Sequence, residues 1–256
     1  MKIKIFEKNS PYQKIQVFEK ENLGKALSLY LNGIEQFSAF DEHIYHEVMA
    51  GVPLAINETP SNVLIIGGGD GGVARECLKN DLVKSIDVCE IDKNVIDTCK
   101  KYFPQISCSF ADPKVNIIYE DGSLFLKTAN KKYDVVIVDS TDPDDTSEPL
   151  FGKEFYENLE LVSKKDTIVT LQFEGCFFTN KRLINVLSSL YESFAFVDFF
   201  RCEYERGLKD DYTTFCLCSQ SDFSRPIGME SLFQFNNENY SKIKNFKKRI
   251  NWLNNE

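Results

Sequence analysis

Between Asn62 and Ser219 the chain alternates short, almost wholly apolar runs with amphipathic ones, and few folds accept that pattern. A strand covered on both faces reads apolar throughout, as strands of a parallel sheet between helical layers do. The runs "NVLIIGG", "SIDVCEID", "KVNIIYEDG", "YDVVIVDSTD" and "TIVTLQF" fit such strands. Between them "GVARECLKN", "KNVIDTCKKYF", "SLFLKTA", "KEFYENLELV" and "KRLINVLSSLYESF" have helical spacing, and "AFVDFFR" and "TTFCLCS" close the sheet. This order predicts an α/β fold with a doubly wound, mainly parallel sheet.

The first 55 residues differ. "KIKIF", "QKIQVFEK" and "KALSLYL" alternate at period two, and Asn32-Gly33 supplies a hairpin turn before "IEQF". We read residues 1–55 as a small antiparallel β-domain and 56–256 as the α/β domain. "DEHIYHEVMAGVPLA" takes helical spacing at their junction, and "YSKIKNFKKRINWL" reads as a terminal helix.

A net charge of −9 and a pI near 5.0 argue against general nucleic-acid binding, which needs a basic surface. The eight cysteines are scattered except for Cys216 and Cys218, whose spacing in a strand puts both thiols on one face. No C-x-x-C occurs and the two histidines, His43 and His46, lie far from the cysteines. Free thiols in a reducing compartment are therefore expected, with no metal site and no disulfide framework. The start "MKIKIFEKNS" has no apolar core of a signal peptide, and no apolar run approaches 18 residues. A soluble, cytoplasmic protein with no membrane association is expected.

The chemistry concentrates in "LIIGGGDGG", Leu64 to Gly72. Gly67, Gly69 and Gly72 satisfy G-x-G-x-x-G, the loop that places a dinucleotide pyrophosphate at a helix N-terminus. Asp70 lies inside that loop. Two unit charges about 4 Å apart repel by roughly 4 kcal/mol at an effective dielectric of 20, so a carboxylate is a poor neighbour for a pyrophosphate. It would attract an ammonium or a sulfonium. Asp70 could instead simply cap the following helix. No phosphate-binding lysine follows the glycines, and NAD is disfavoured.

Open α/β sheets bind ligands at the carboxyl ends of their strands. Here those ends are acidic: Asp70 after the first, Glu90 and Asp92 after the second, Glu120 and Asp121 after the third, Asp139 and Asp142 after the fourth. Glu90, 21 residues beyond Gly69, suits a ribose hydroxyl. A carboxylate at the mouth of a buried strand, such as Asp139, suits a general base or an amine anchor. A single such aspartate would be an ordinary turn starter; four acidic strand ends around one glycine loop are harder to dismiss.

"NVLIIGGGDGGVARECLKN", "CEIDKNVIDTCKKYFP", "DPKVNIIYEDG" and "YDVVIVDSTDP…LFGKEFYENL", with "SPYQKIQVFE" and "DEHIYHEVMAGVPL" upstream, resemble the spermidine synthase family of polyamine aminopropyltransferases. The resemblance implies a Rossmann-like catalytic domain beside a small β-domain, and a homodimer or homotetramer. It implies transfer of an aminopropyl group from decarboxylated S-adenosylmethionine, a co-substrate rather than a bound cofactor, to a polyamine. Putrescine is the default acceptor, giving spermidine and methylthioadenosine. By the same resemblance Gln13, His46 and Asp70 contact the sulfonium and aminopropyl part, beside Gly67 of the loop. Glu90 holds the ribose, and Asp121 the adenine amino group. Tyr45, Asp142, Gln172 and Tyr204 line the amine channel, with Asp139 as the base, and Gln36 is placed near the same cleft.

Three departures fall on the acceptor side: "DSTDPDDTSEP" adds Asp144, Asp145 and Glu148, "RCEYERGLKDDYTTF" lacks the family's prolines, and "FEGCFF" offers Glu174. They fit either a differently shaped polyamine or a solvated acidic loop. Two other classes stay open from sequence: an S-adenosylmethionine-dependent amine N-methyltransferase, and a non-catalytic polyamine- or nucleoside-binding protein on the same scaffold.

Overall fold

The computed structural model describes residues 1–141, 150, 152–173, 181–204 and 212–233. Four N-terminal strands, β1 (Lys2–Asn9), β2 (Lys14–Lys20), β3 (Ala26–Leu31) and β4 (Ile34–Ser38), pair antiparallel in chain order. The β3–β4 connection is the two-residue turn expected: Leu31 faces Ile34, and Asn32 and Gly33 both take positive φ, 50° and 84°. Helix α1 (Glu42–Ile56) follows.

The rest alternates as the apolar runs require. The strands are β5 (Asn62–Gly67), β6 (Ser85–Cys89), β7 (Val115–Ile118), β8 (Tyr133–Asp139), β9 (Ser163–Phe173), β10 (Phe196–Glu203) and β11 (Tyr212–Ser219). The helices are α2 (Gly72–Cys77), α3 (Lys93–Tyr102), α4 (Gly122–Thr128), α5 (Lys153–Val162) and α6 (Lys181–Ser193). The seven strands lie in the order β10-β11-β9-β8-β5-β6-β7; all neighbours are parallel except β11, which runs against β9 and β10. The tail read as a terminal helix lies outside the described residues.

Strand alternation sorts the core into two layers. Val63, Ile65, Val135 and Ile137 share a cluster with Met49, Val52, Val73 and Ala74 of α1 and α2. Leu64, Ile66, Val136 and Val138 pack on the other side with Phe125, Phe155, Leu159 and Leu190 of α4, α5 and α6. Cys216 and Cys218 point into that second layer with their sulfurs 3.5 Å apart, sharing one face as their spacing demands. A third cluster joins Ile15, Val17, Leu29 and Phe37 of the small sheet to Val95 and Cys99 of α3. The small sheet thus rests on the helix that follows β6, while α1 packs on the large sheet.

The order reverses at β5: β6 and β7 extend to one side, β8 and β9 to the other. Ligands of such sheets bind outside the strand ends at that reversal. The register there pairs Gly67 of β5 with Asp139 of β8.

Candidate active site

Each glycine of the motif makes room for one group of the site. At Gly67, where φ is +81°, a Cβ would come within 2.1 Å of the Asp139 carbonyl oxygen; that oxygen accepts the Gly68 N–H at 3.0 Å. A Cβ at Gly69 would lie 2.8 Å from Glu90 Oε2, and one at Gly72 2.4 Å from the His46 ring. The loop is therefore shaped around a strand end, a carboxylate and an imidazole.

Asp70 does two things at once. Its Oδ1 accepts the Gly72 N–H at 2.6 Å, which fixes the first turn of α2. Its Oδ2 lies 3.5 Å from His46 Nε2. The bond to the helix start and the contact with His46 thus use opposite oxygens of one side chain. Buried His46 is held from its other nitrogen, Nδ1, by Glu42 Oε2 at 2.5 Å. Arg75 closes the far side, donating to both Glu42 oxygens at 2.8 and 2.9 Å. Burial pulls the His46 value down, but Asp70 and Glu42 outweigh it and raise it to about 10. Burial likewise opposes ionisation of Glu42, yet His46 and Arg75 bring it down to about 2. Asp70 is held below the usual carboxylate range despite its burial, through His46 and the Gly72 N–H.

Asp139 ends β8 beside them. The Tyr45 hydroxyl donates to its Oδ1 at 2.7 Å, and the same hydroxyl lies 3.3 Å from Gln172 Oε1 on β9. Burial first, then repulsion from Asp70, pushes the Asp139 carboxyl up to about 6, against the opposing pull of His46 and Tyr45. Burial and the neighbouring Asp139 charge drive Tyr45 well above its ordinary range. His46, Asp70 and Asp139 bring one ligand atom each within 4.8 Å of one another. Both His46 nitrogens already face carboxylates, so the ring offers protons rather than a lone pair. With both protons directed at carboxylates, the ring has no lone pair to give a metal ion.

On the β6 side, Glu90 is buried, and its Oε1 accepts the Asp92 N–H at 2.8 Å. Burial lifts it to about 7, with the charges of Asp92, Asp139 and Asp70 adding to the rise. Gln13 reaches the same corner from the β1–β2 turn: its Nε2 donates to Asp92 Oδ2 at 3.3 Å, and the Ser10 hydroxyl donates to that oxygen at 2.5 Å. Asp121 caps α4, its Oδ1 accepting the Ser123 N–H at 2.7 Å and the Leu124 N–H at 3.4 Å.

Of the residues expected from sequence, His46, Tyr45, Asp70, Asp139, Gln172, Glu90 and Gly67 therefore gather at the β5–β8 reversal, with Gln13 and Asp121 at the neighbouring strand ends. Tyr204 packs against the α1 layer, pairs with the Thr213 hydroxyl at 3.1 Å, and stands close enough to Tyr45 to raise its value further. Gln36 bonds back to the Ile34 carbonyl at 3.3 Å, and Phe37 is the β4 ring facing His46, 6.4 Å between centroids. Asp142, Asp144, Asp145, Glu148 and Glu174 lie outside the described residues. Sequence reasoning missed Glu42, Arg75 and the Ser10–Asp92 pair. Glu42 stands four residues before His46 in a helix, which is a usable signal; the others meet only through the tertiary fold.

An open, mainly parallel α/β sheet with a glycine loop and convergent carboxylates at its reversal defines a Rossmann-like fold. Within that class the comparisons are specific. The spermine/spermidine synthase domain family matches residues 42–225, and the chain belongs to that family. The polyamine aminopropyltransferase of Alkaliphilus oremlandii is 42% identical over 176 residues, covering 69% of this chain and 61% of the relative. That of Alkaliphilus metalliredigens is 38% identical over 201 residues, covering 78% and 70%. A solved spermidine synthase in complex with the transition-state analogue AdoDATO superposes with a TM-score of 0.81 at 30% identity, covering 96% of this chain and 87% of the other. Spermidine synthase from Thermotoga maritima gives 0.76 at 30% identity, with coverages of 92% and 79%. The chain thus spans about three-fifths of the length of the first of these relatives. Among the described residues no helix is long and apolar enough to cross a membrane.

Proposed function

We propose that this chain is an aminopropyltransferase that moves the aminopropyl group of decarboxylated S-adenosylmethionine to a diamine, putrescine by default. The products are spermidine and methylthioadenosine. The observation that carries this reading is the convergence of Asp70, Asp139 and Glu90 on one glycine loop. Such a site favours a sulfonium nucleoside with a free ammonium, and it disfavours a donor that carries its own carboxylate.

In this reading Glu90 takes the ribose hydroxyls and Asp121 the adenine amino group. Gln13, His46 and Asp70 lie against the sulfonium and aminopropyl part of the donor, with the Asp70 carboxylate as the group that receives its charge. Tyr45, Gln172, Tyr204 and Asp142 orient the amine. Its lone pair attacks the methylene beside sulfur, the carbon–sulfur bond breaks with its electrons going to sulfur, and a neutral thioether leaves. Holding amine and carbon in line supplies much of the rate. The amine enters as an ammonium with an ordinary pKa near 10, so a proton must go. Asp139 is suited to orient the amine and take that proton, because its carboxyl is raised to about 6 and is a stronger base than an exposed aspartate. The added acids beyond Asp139 fit either a longer or differently shaped polyamine acceptor in place of putrescine or a solvated acidic loop. We assign the protein to the cytoplasm as a homodimer or homotetramer, on the strength of the family.

The test is mass spectrometry of a turnover mixture offering decarboxylated and intact S-adenosylmethionine with a panel of di- and polyamines. Aminopropylated amine plus methylthioadenosine is expected. Methylated amine plus S-adenosylhomocysteine would overturn the reading in favour of a methyltransferase, and absence of any product would overturn it in favour of binding without turnover.

A further inference from the structure

The imidazole of His46 sits in an arrangement that a neutral ring cannot satisfy. Nδ1 lies 2.5 Å from Glu42 and Nε2 3.5 Å from Asp70, so both nitrogens face carboxylate oxygens. A neutral imidazole has one N–H and one lone pair; only the imidazolium presents a proton to both. The ring has little freedom to turn away. Gly72 approaches it closely enough that a Cβ there would lie 2.4 Å off, and Tyr45 and Phe37 stand edge-on to it at 5.3 and 6.4 Å. Glu42 is fixed in turn, both of its oxygens taken by the fork of Arg75, whose Nε bonds Glu76 at 2.8 Å.

We propose that Glu42, locked by Arg75, is a positioning residue that keeps His46 in the site as an imidazolium aimed at Asp70. In the empty site the ring is then the counter-ion of the carboxylate that receives the donor's cation. The charged and titratable groups facing it are Glu42 and Tyr45 from α1, Arg75 from α2, Asp70 from the glycine loop and Asp139 from β8. The small sheet contributes the apolar Phe37. The consequence for turnover rests on the aminopropyl-transfer reading; the consequence for the ring does not.

Glu42→Gln separates the two. It removes one negative charge, and the ring, without its carboxylate partner, releases its proton at a lower pH than before. Below that pH the variant site carries one more positive charge than the wild type. Above it, the lost carboxylate and the lost proton cancel. The ratio of donor KM between E42Q and wild type should therefore be about tenfold near pH 6 and fall to within twofold near pH 9. Titrations of groups that do not feel the His46 charge cancel in the ratio. Glu42→Asp retains the charge and should keep the KM ratio constant with pH.

The ring itself is read by proton NMR, since His43 and His46 are the chain's two histidines. In the wild type the His46 Cε1–H resonance should not move between pH 6 and 8, and in E42Q it should titrate below its wild-type pH. A wild-type His46 resonance that titrates near pH 6.5 would overturn the proposal. So would a pH-independent KM ratio in E42Q, which is what a merely structural role would give. If no turnover is found with any donor, the NMR arm still decides the proposal.

Discussion

Gly72→Ala is a single-methyl change whose outcome the geometry fixes closely. The residue opens α2 with an ordinary φ, so alanine brings no backbone strain there. The cost is steric: the new Cβ would sit 2.4 Å from both Nδ1 and Cε1 of His46, well inside van der Waals contact. The ring cannot yield cheaply, because Glu42 grips Nδ1 and the side chain is 2% exposed. Overpacking of this kind costs about 1–3 kcal/mol. For a domain of this size each kcal/mol lowers Tm by roughly 2–4 °C. The displaced ring also intrudes on the donor's place, so donor KM should rise about tenfold or more. Gly51 in the middle of α1 is the matched control, since a Cβ there meets nothing within 4 Å. Gly51→Ala should stabilise by about 0.5–1 kcal/mol and leave turnover alone. Thermal unfolding and initial rates on the two variants settle the matter. A Gly72→Ala protein with wild-type Tm and KM would refute the packing argument.

Other outcomes follow from the same groups. Tyr45→Phe deletes the 2.7 Å bond to Asp139, which helps hold that carboxyl down. Hydrogen bonds to charged groups are worth about 1.5–3 kcal/mol, so kcat should fall about tenfold or more, and the acidic limb of the pH–rate profile should shift above pH 6. Glu90→Gln should raise donor KM at least about tenfold with little change in kcat at saturation, because on the proposed reading it holds the ribose equally in ground and transition states. His46 is raised from 6.5 to about 10 on folding, so its contribution to stability is full below pH 6.5 and is lost as pH rises toward 10. Urea unfolding of wild type and His46→Gln between pH 6 and 10 should show that loss in the wild type and not in the variant.

The elements were legible because their burial is written in the chain. A strand such as β8, buried from Tyr133 to Val138, has no polar face to blur its pattern. The Asn32-Gly33 turn is equally local. Strand direction is less so: nothing in "TTFCLCS" tells that β11 runs against both neighbours, since alternation reads the same either way. The site was partly legible for a similar reason. Acidic strand ends and a glycine loop are visible in one dimension, and the fold rule brings them together. What each glycine accommodates was not visible. The Gly72–His46 contact and the Arg75–Glu42 pair depend on how α1 lies across α2. Ser10 and Asp92, 82 positions apart, meet because the small sheet rests on α3.

The central claim is that Asp70 and its neighbours select a cationic nucleoside without a carboxylate. Isothermal titration of the protein with decarboxylated and with intact S-adenosylmethionine tests it most directly. The account predicts that the decarboxylated form binds at least about tenfold more tightly, about 1.4 kcal/mol, with the preference shrinking in Asp70→Asn. Equal affinity, or tighter binding of the intact form, would contradict it.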